Sequence, residues 1–196
     1  MVHPNTELRW VNDVIGRGVF ATEFIPKGTI TWVRDDLDQS FTCEQVERME
    51  SIYREILEKY TFVDGRGRMV LCWDHARFFN HSCEANCLSA GYDFEIAVRD
   101  IFAGEELRDD YGTLNLQTPF PCDCQSPNCR KQILPDDMER WADVWDGLVR
   151  CVFPLIPQVA QPLWPLFQEK AEVEAALKDL GNLRSIRCHY LYARQD

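Results

Sequence analysis

The sequence predicts a mainly β protein with helices, an α+β fold of small sheets that ends in a helical extension. Three observations carry that prediction. Residues 8 to 34 are rich in β-branched and aromatic residues (Val14, Val19, Phe20, Phe24, Ile25, Ile30, Val33), punctuated by Gly16, Gly18 and Pro26-Lys27-Gly28. Residues 117 to 131 hold Pro119, Pro121, Pro127 and three cysteines, a loop with little core of its own. From Asp136 the apolar period changes to helical: Met138, Trp141, Trp145, Leu148 and Val152 predict one stripe, with Asp136 as its cap. Leu166, Val173, Leu177 and Leu180 predict a second, stopped by Gly181-Asn182. Between these regions, residues 42 to 60 predict a helix, with Thr42 and Gln45 at capping-box spacing and Val46, Met49, Tyr53, Ile56 and Tyr60 on one face. Residues 69 to 112 predict short strands joined by polar segments. The order lacks strand–helix alternation, and IGRGVF lacks a third glycine, so a dinucleotide fold is excluded.

The net charge of -11 disfavours direct binding to nucleic acid and favours a lysine- or arginine-rich partner. The start, MVHPNTELRW, has no basic segment followed by an apolar run, so no signal peptide is expected. The most apolar stretch, Val149 to Phe167, contains Pro154, Pro157, Pro162 and Pro165, which suits buried packing and not a membrane helix. Nine cysteines without a secretion signal predict reduced thiols or metal ligands. The expectation is a soluble, intracellular protein, cytoplasmic, with nuclear or host-directed placement left open. The tryptophan-rich tail offers a surface for a homodimer.

Three segments concentrate chemistry. In CDCQSPNC, Cys122, Cys124 and Cys129 are thiols that suit a tetrahedral zinc ion, with Cys83 or Cys87 as a fourth ligand. RFFNHSCEANC, Arg77 to Cys87, is dense in hydrogen-bonding and metal-binding side chains. GEELRDDYG, Gly104 to Gly112, sets a tyrosine beside acids.

Together and in this order these segments resemble the SET-domain family of protein-lysine methyltransferases. IGRGVFAT with IPKGTI is similar to the family's opening glycine motif, ARFFNHSCEANC to its asparagine–histidine motif, and GEELRDDYG to its tyrosine motif. CDCQSPNC has the CxCx4C spacing of the post-SET zinc loop. The resemblance spans roughly residues 8 to 134. It implies a SET domain over 1–116, a post-SET zinc loop over 117–134 and a helical extension over 135–196, with the asparagine–histidine and tyrosine segments forming a pseudoknot. It further implies transfer of a methyl group from S-adenosylmethionine to the ε-amine of lysine in a protein substrate, such as a basic protein of the histone type. Gly16, Arg17, Gly18, Arg77, Asn80, His81 and Tyr111 match cofactor-binding positions, and Tyr111 also matches the catalytic tyrosine beside the methyl group. Cys83 joins Cys122, Cys124 and Cys129 in the implied zinc set, while Cys87 reads as a core thiol.

The chemistry agrees with this resemblance. A sulfonium methyl is already an electrophile, so the protein mainly has to align it with a lone pair. Neutralising a lysine with a free pKa near 10.4 at pH 7.4 costs about 4 kcal/mol, which a dry channel beside a sulfonium charge offsets. The sequence departs from the family at Asp109, in the substrate channel, where an aromatic residue is usual and tunes the number of methyls added. That departure leaves a second reading open, a SET-fold binding module with little or no catalysis. The usual Gly-Asn is replaced by Trp73-Asp74 and a usual proline by Ala85.

Overall fold

The computed structural model describes residues 1–191, so the end of the 135–196 extension lies outside the described residues. In chain order the strands are β1 (Thr6–Asn12), β2 (Gly16–Ala21), β3 (Ile30–Val33), β4 (Gln39–Phe41), β5 (Thr61–Val63), β6 (Met69–Leu71), β7 (Asn80–His81), β8 (Cys87–Ser89), β9 (Phe94–Ala97), β10 (Glu106–Asp109), β11 (Phe120–Pro121) and β12 (Gln132–Ile133). The α-helices are α1 (Cys43–Glu47), α2 (Ser51–Tyr60), α3 (Asp137–Val152) and α4 (Lys170–Lys178). The strands form sheets in the orders β1-β2-β10-β7, β3-β9-β8 and β4-β6-β5, and β11 pairs with β12. These small sheets plus helices are the α+β architecture that the sequence predicts.

The β3-β9-β8 sheet is the centre of the core. Every residue of β3 and β9 is buried, so both strands are covered on both faces. Ile30, Leu88, Phe94 and Ile96 pack against Met138, Trp145, Val149, Phe153, Phe167 and Val173 of the helical extension. Removing side chains of this size from water contributes about 1.5–3 kcal/mol each. A second cluster, with Val19, Ala21, Ile25, Ile101 and Leu107, lies under the β1-β2-β10-β7 sheet and includes Cys87.

The structure corrects several local expectations. The helix over 42 to 60 is two helices with a break at Met49-Glu50, although the Thr42–Gln45 capping box is present. Of its expected apolar face, Tyr53 and Ile56 are exposed, and Leu57 is the residue of α2 that buries. The α3 stripe is rotated. Met138, Ala142, Trp145, Val149 and Val152 face the core, while Trp141 and Leu148 are exposed. Spacing of three and four residues fits either set, so the period alone does not choose between them. Asp136 stands at the α3 N-cap but makes no cap bond, because its backbone is not extended and its carboxylate pairs with Arg140 at 2.6 Å. Leu166 is also exposed, and α4 buries Val173 and Ala176. No helix among the described residues is long and apolar enough to cross a membrane.

Candidate active site

The site is built where β7 meets β10. The two strands run parallel, with Arg108 opposite Asn80 and Asp109 opposite His81. That register lays the asparagine–histidine segment along the tyrosine segment, as the pseudoknot expectation requires. The Asn86 side chain braces β10 from the other side. Its amide donates to the Glu106 carbonyl at 2.8 Å and its oxygen accepts from the Arg108 N–H at 2.8 Å.

Asn80 Nδ2 donates to the Arg17 carbonyl at 3.0 Å and to Glu106 Oε1 at 2.7 Å. This joins β7 to the glycine turn between β1 and β2. Gly16 has φ 84°, where an L side chain is strained. A Cβ on Gly18 would lie 2.2 Å from Glu106 Oε1 and 2.8 Å from Asn80 Nδ2, so only glycine lets these groups meet. The Arg17 side chain is exposed, and only its backbone enters the cluster. Arg77 lies over the Phe78 ring, 5.4 Å from its centroid, and lines the adjoining cavity.

That cavity has a volume of about 680 Å³. Trp32, Phe62, Cys72, Phe79, Glu95, Asp109 and Tyr111 are among the residues lining it. The Tyr111 hydroxyl donates to the Phe79 carbonyl at 2.7 Å, which fixes the ring and leaves the oxygen's lone pairs free to accept. Burial, with the charges of Asp109 and Glu106, holds the phenol well above its usual range, so Tyr111 stays protonated. The Tyr111 N–H donates to His81 Nδ1 at 3.1 Å. The ring proton of His81 therefore sits on Nε2, which lies 3.3 Å from Cys83 Sγ. Burial, then the Arg130 and Arg108 charges, bring this histidine down to about 4, so it is neutral.

The cysteine loop lies alongside. The ligand atoms of His81, Cys83, Cys122 and Cys124 are all within 4.8 Å of one another. Cys83 Sγ is 3.8 Å and Cys129 Sγ 3.6 Å from Cys122 Sγ. A tetrahedron with zinc–sulfur bonds of about 2.3 Å has edges of about 3.8 Å, so these thiols fit a zinc ion. Backbone N–H groups of Cys83, Arg130 and Lys131 point at Cys124, Cys83 and Cys129 sulfur at 3.4, 3.3 and 3.4 Å, the environment thiolates need. Burial opposes ionisation of Cys124, but the Ser126 hydroxyl at 3.0 Å and the Cys83 N–H outweigh it and bring the thiol to about 6. Cys87 is fully buried in β8 among apolar residues, apart from this group.

Three residues here escaped the sequence reading. Phe120, beside the first cysteine of the loop, sets its ring 5.6 Å from Tyr111 and 6.5 Å from His81. Its only sequence signal is an aromatic residue in a polar, proline-rich loop. Arg130 pairs with Asp110 and, at 3.2 Å, with Asp137, tying the cysteine loop to α3. Glu95 faces the cavity from β9 and hydrogen-bonds Asp109.

Residues 16–112 match the SET domain family. Over 131 residues, 60% of this chain, the sequence is 31% identical to a protein of Drosophila virilis named histone-lysine N-methyltransferase trithorax. Over 136 residues, 62% of the chain, it is 30% identical to histone-lysine N-methyltransferase set1 of Dictyostelium discoideum. A shorter stretch of 62 residues, 28% of the chain, is 42% identical to an H3 lysine-4 specific histone-lysine N-methyltransferase of Schizosaccharomyces pombe. These matches span 3%, 9% and 7% of the respective relatives' lengths.

Proposed function

Because this chain belongs to the SET-domain family, we propose that it is a protein-lysine N-methyltransferase that uses S-adenosylmethionine and acts on a basic protein substrate. The observation that carries this reading is the parallel β7–β10 register, which lays the Asn80-His81 segment alongside the segment that leads into Tyr111, with His81 bonded to the Tyr111 N–H. We assign residues 1–116 to the SET unit, 117–134 to the post-SET loop and 135–196 to the extension.

S-adenosylmethionine supplies a methyl group on a positive sulfur when bound. Asn80, the Gly16–Gly18 turn, His81 and Arg77 surround the position proposed for it, and Phe120 covers that position from the cysteine loop. Tyr111 aims its oxygen lone pairs at the transferring methyl and orients the amine. Its raised pKa suits it to this role and not to proton abstraction. Acidic lining residues, among them Glu58 and Asp93, favour a cationic substrate. Incubating the protein with labelled S-adenosylmethionine and a basic protein mixture tests the reading. Label on lysine supports it, and cofactor binding without transfer would favour the binding module.

Two further results are expected. Asn80→Ala weakens cofactor binding by about 1–3 kcal/mol in calorimetry, since it removes the half-buried amide that holds the Arg17 carbonyl and Glu106 in place. Unchanged affinity in the folded variant would remove Asn80 from the binding set. The second concerns zinc, for which we propose Cys83, Cys122, Cys124 and Cys129 as ligands and His81 as a donor to Cys83 sulfur. Its Nε2–Sγ distance of 3.3 Å is shorter than the roughly 3.6 Å that two ligands on one tetrahedral zinc would keep. Metal analysis of purified protein should give one zinc per chain, lost in Cys129→Ser and retained in His81→Gln. The reverse pattern would exchange their roles.

A further inference from the structure

The cavity wall beside Tyr111 carries a feature that methyl-group alignment alone does not use. Glu95 on β9 and Asp109 at the end of β10 are buried, at 9% and 2% exposure, and hydrogen-bond each other through their side chains. Two carboxyl groups in that relation share a proton. Glu95 Oε2 is enclosed and accepts from nothing among the described residues, and Trp32 Nε1, on the strand partner of Glu95, donates to nothing. Both residues line the cavity of about 680 Å³ with Tyr111. A buried acceptor without a donor is costly, and an incoming ammonium brings three donors.

We propose that Glu95 and Asp109 work as one proton-accepting pair that takes the proton from the ammonium of the incoming lysine. This rests on the lysine methyltransferase reading above. The ammonium N–H bond breaks, its proton passes to Glu95 Oε2, and the bonding electrons remain on nitrogen as the lone pair. That lone pair forms the new N–C bond as the C–S bond of the sulfonium breaks, and the C–S electrons stay on sulfur as a neutral thioether. The pair then releases one proton to solvent, so each methyl transferred liberates one proton.

The electrostatics are consistent. Burial is the main cause that raises Glu95 to about 7. Burial, then the charges of Glu95 and Asp110, raise Asp109 well above the carboxylate range, so the pair holds at most one negative charge near neutrality. The other titratable groups acting on it are the Cys72 and Cys87 thiols and the Tyr111 phenol, all pushed up by burial and neutral there. Asp110 points instead to Arg130 and Trp145. Glu58, Lys59, Asp64, Arg77 and Asp93 complete the charged lining of the cavity, and His189, lowered by burial, adds a neutral ring.

The test is the pH dependence of single-turnover methyl transfer to a mixed histone preparation by the parent, Glu95→Gln and Asp109→Asn. The parent rate should rise to a plateau with a midpoint near 7. Glu95→Gln should be roughly 100-fold slower at pH 7.5, with its rate still climbing above pH 9 as solvent takes the lysine proton. Its cofactor affinity by calorimetry should match the parent's. Asp109→Asn, which keeps a hydrogen bond to Glu95 but no shared proton, should shift the midpoint to lower pH. Parent-like profiles in both folded variants would overturn the proposal, and if Glu95→Gln does not fold, the Asp109→Asn midpoint decides. A parent that methylates no lysine defeats the reading above, and carboxyl-carbon NMR then decides the pair separately. Glu95 titrating near 7 in the parent supports it, and Glu95 ionising in the ordinary carboxylate range overturns it.

Discussion

Replacing Tyr111 by phenylalanine is expected to slow methyl transfer about 100-fold, roughly 2.7 kcal/mol of transition-state stabilisation, while cofactor affinity stays near the parent's. The hydroxyl does two things that the ring alone cannot. It anchors the side chain to the Phe79 carbonyl at 2.7 Å, and it offers lone pairs to the cavity. Phenylalanine keeps the ring contacts with His81 and Phe120 at 5.4 and 5.6 Å, so the surroundings should hold their shape. Losing one hydrogen bond to a backbone carbonyl should lower stability by about 1 kcal/mol. A fall in rate much larger than the fall in stability therefore marks a group acting in the transition state. If melting temperature drops and turnover does not, Tyr111 only packs the turn and the catalytic assignment fails.

Arg130→Met should be the most destabilising single change in the site region. The Arg130 side chain is 12% exposed and pairs with Asp110 and Asp137, each 3% exposed. Removing the guanidinium leaves two enclosed carboxylates without their cation, a loss of about 3–5 kcal/mol. For a chain of this size that corresponds to a melting-temperature drop of roughly 6–20 °C. The exposed Asp136–Arg140 pair on the same helix is the internal control, and Arg140→Met should change stability by only about 0.5 kcal/mol. Equal effects of the two substitutions would show that the Arg130 network carries no special stability. Because the Arg130 side chain ties the cysteine loop to Asp110 and Asp137, and so holds its backbone N–H toward Cys83 sulfur, Arg130→Met should also weaken zinc retention.

What the sequence reveals depends on the range of the interaction. The Thr42–Gln45 capping box, the glycine turn at Gly16 and the short cysteine loop are local, and each is present where the residues imply it. Asn80, His81, Cys83 and Tyr111 meet because the motifs that contain them are strands in register, and the spacing of those motifs is readable as a resemblance. The stripe on α3 was not readable in detail. Trp141 and Leu148 look like core residues by type, yet α3 turns Ala142 and Val149 inward, and a spacing of three and four residues fits both sets equally. Tyr53 and Ile56 mislead in the same way, being apolar by type yet exposed on α2. Glu95 was invisible for a different reason. One acid in the strand Phe94–Ala97 looks like a solvent-facing position, and only the tertiary fold buries it against Asp109. Arg130 likewise looks like a surface charge until its two carboxylate partners are seen.

The most direct measurement is peptide-mapping mass spectrometry of a basic protein mixture after incubation with S-adenosylmethionine and either the parent protein or Tyr111→Phe. The account predicts methyl groups on lysine ε-nitrogens with the parent, and about 100-fold fewer in the same time with the variant. Methylation confined to residues other than lysine, or equal lysine methylation by both proteins, would contradict it.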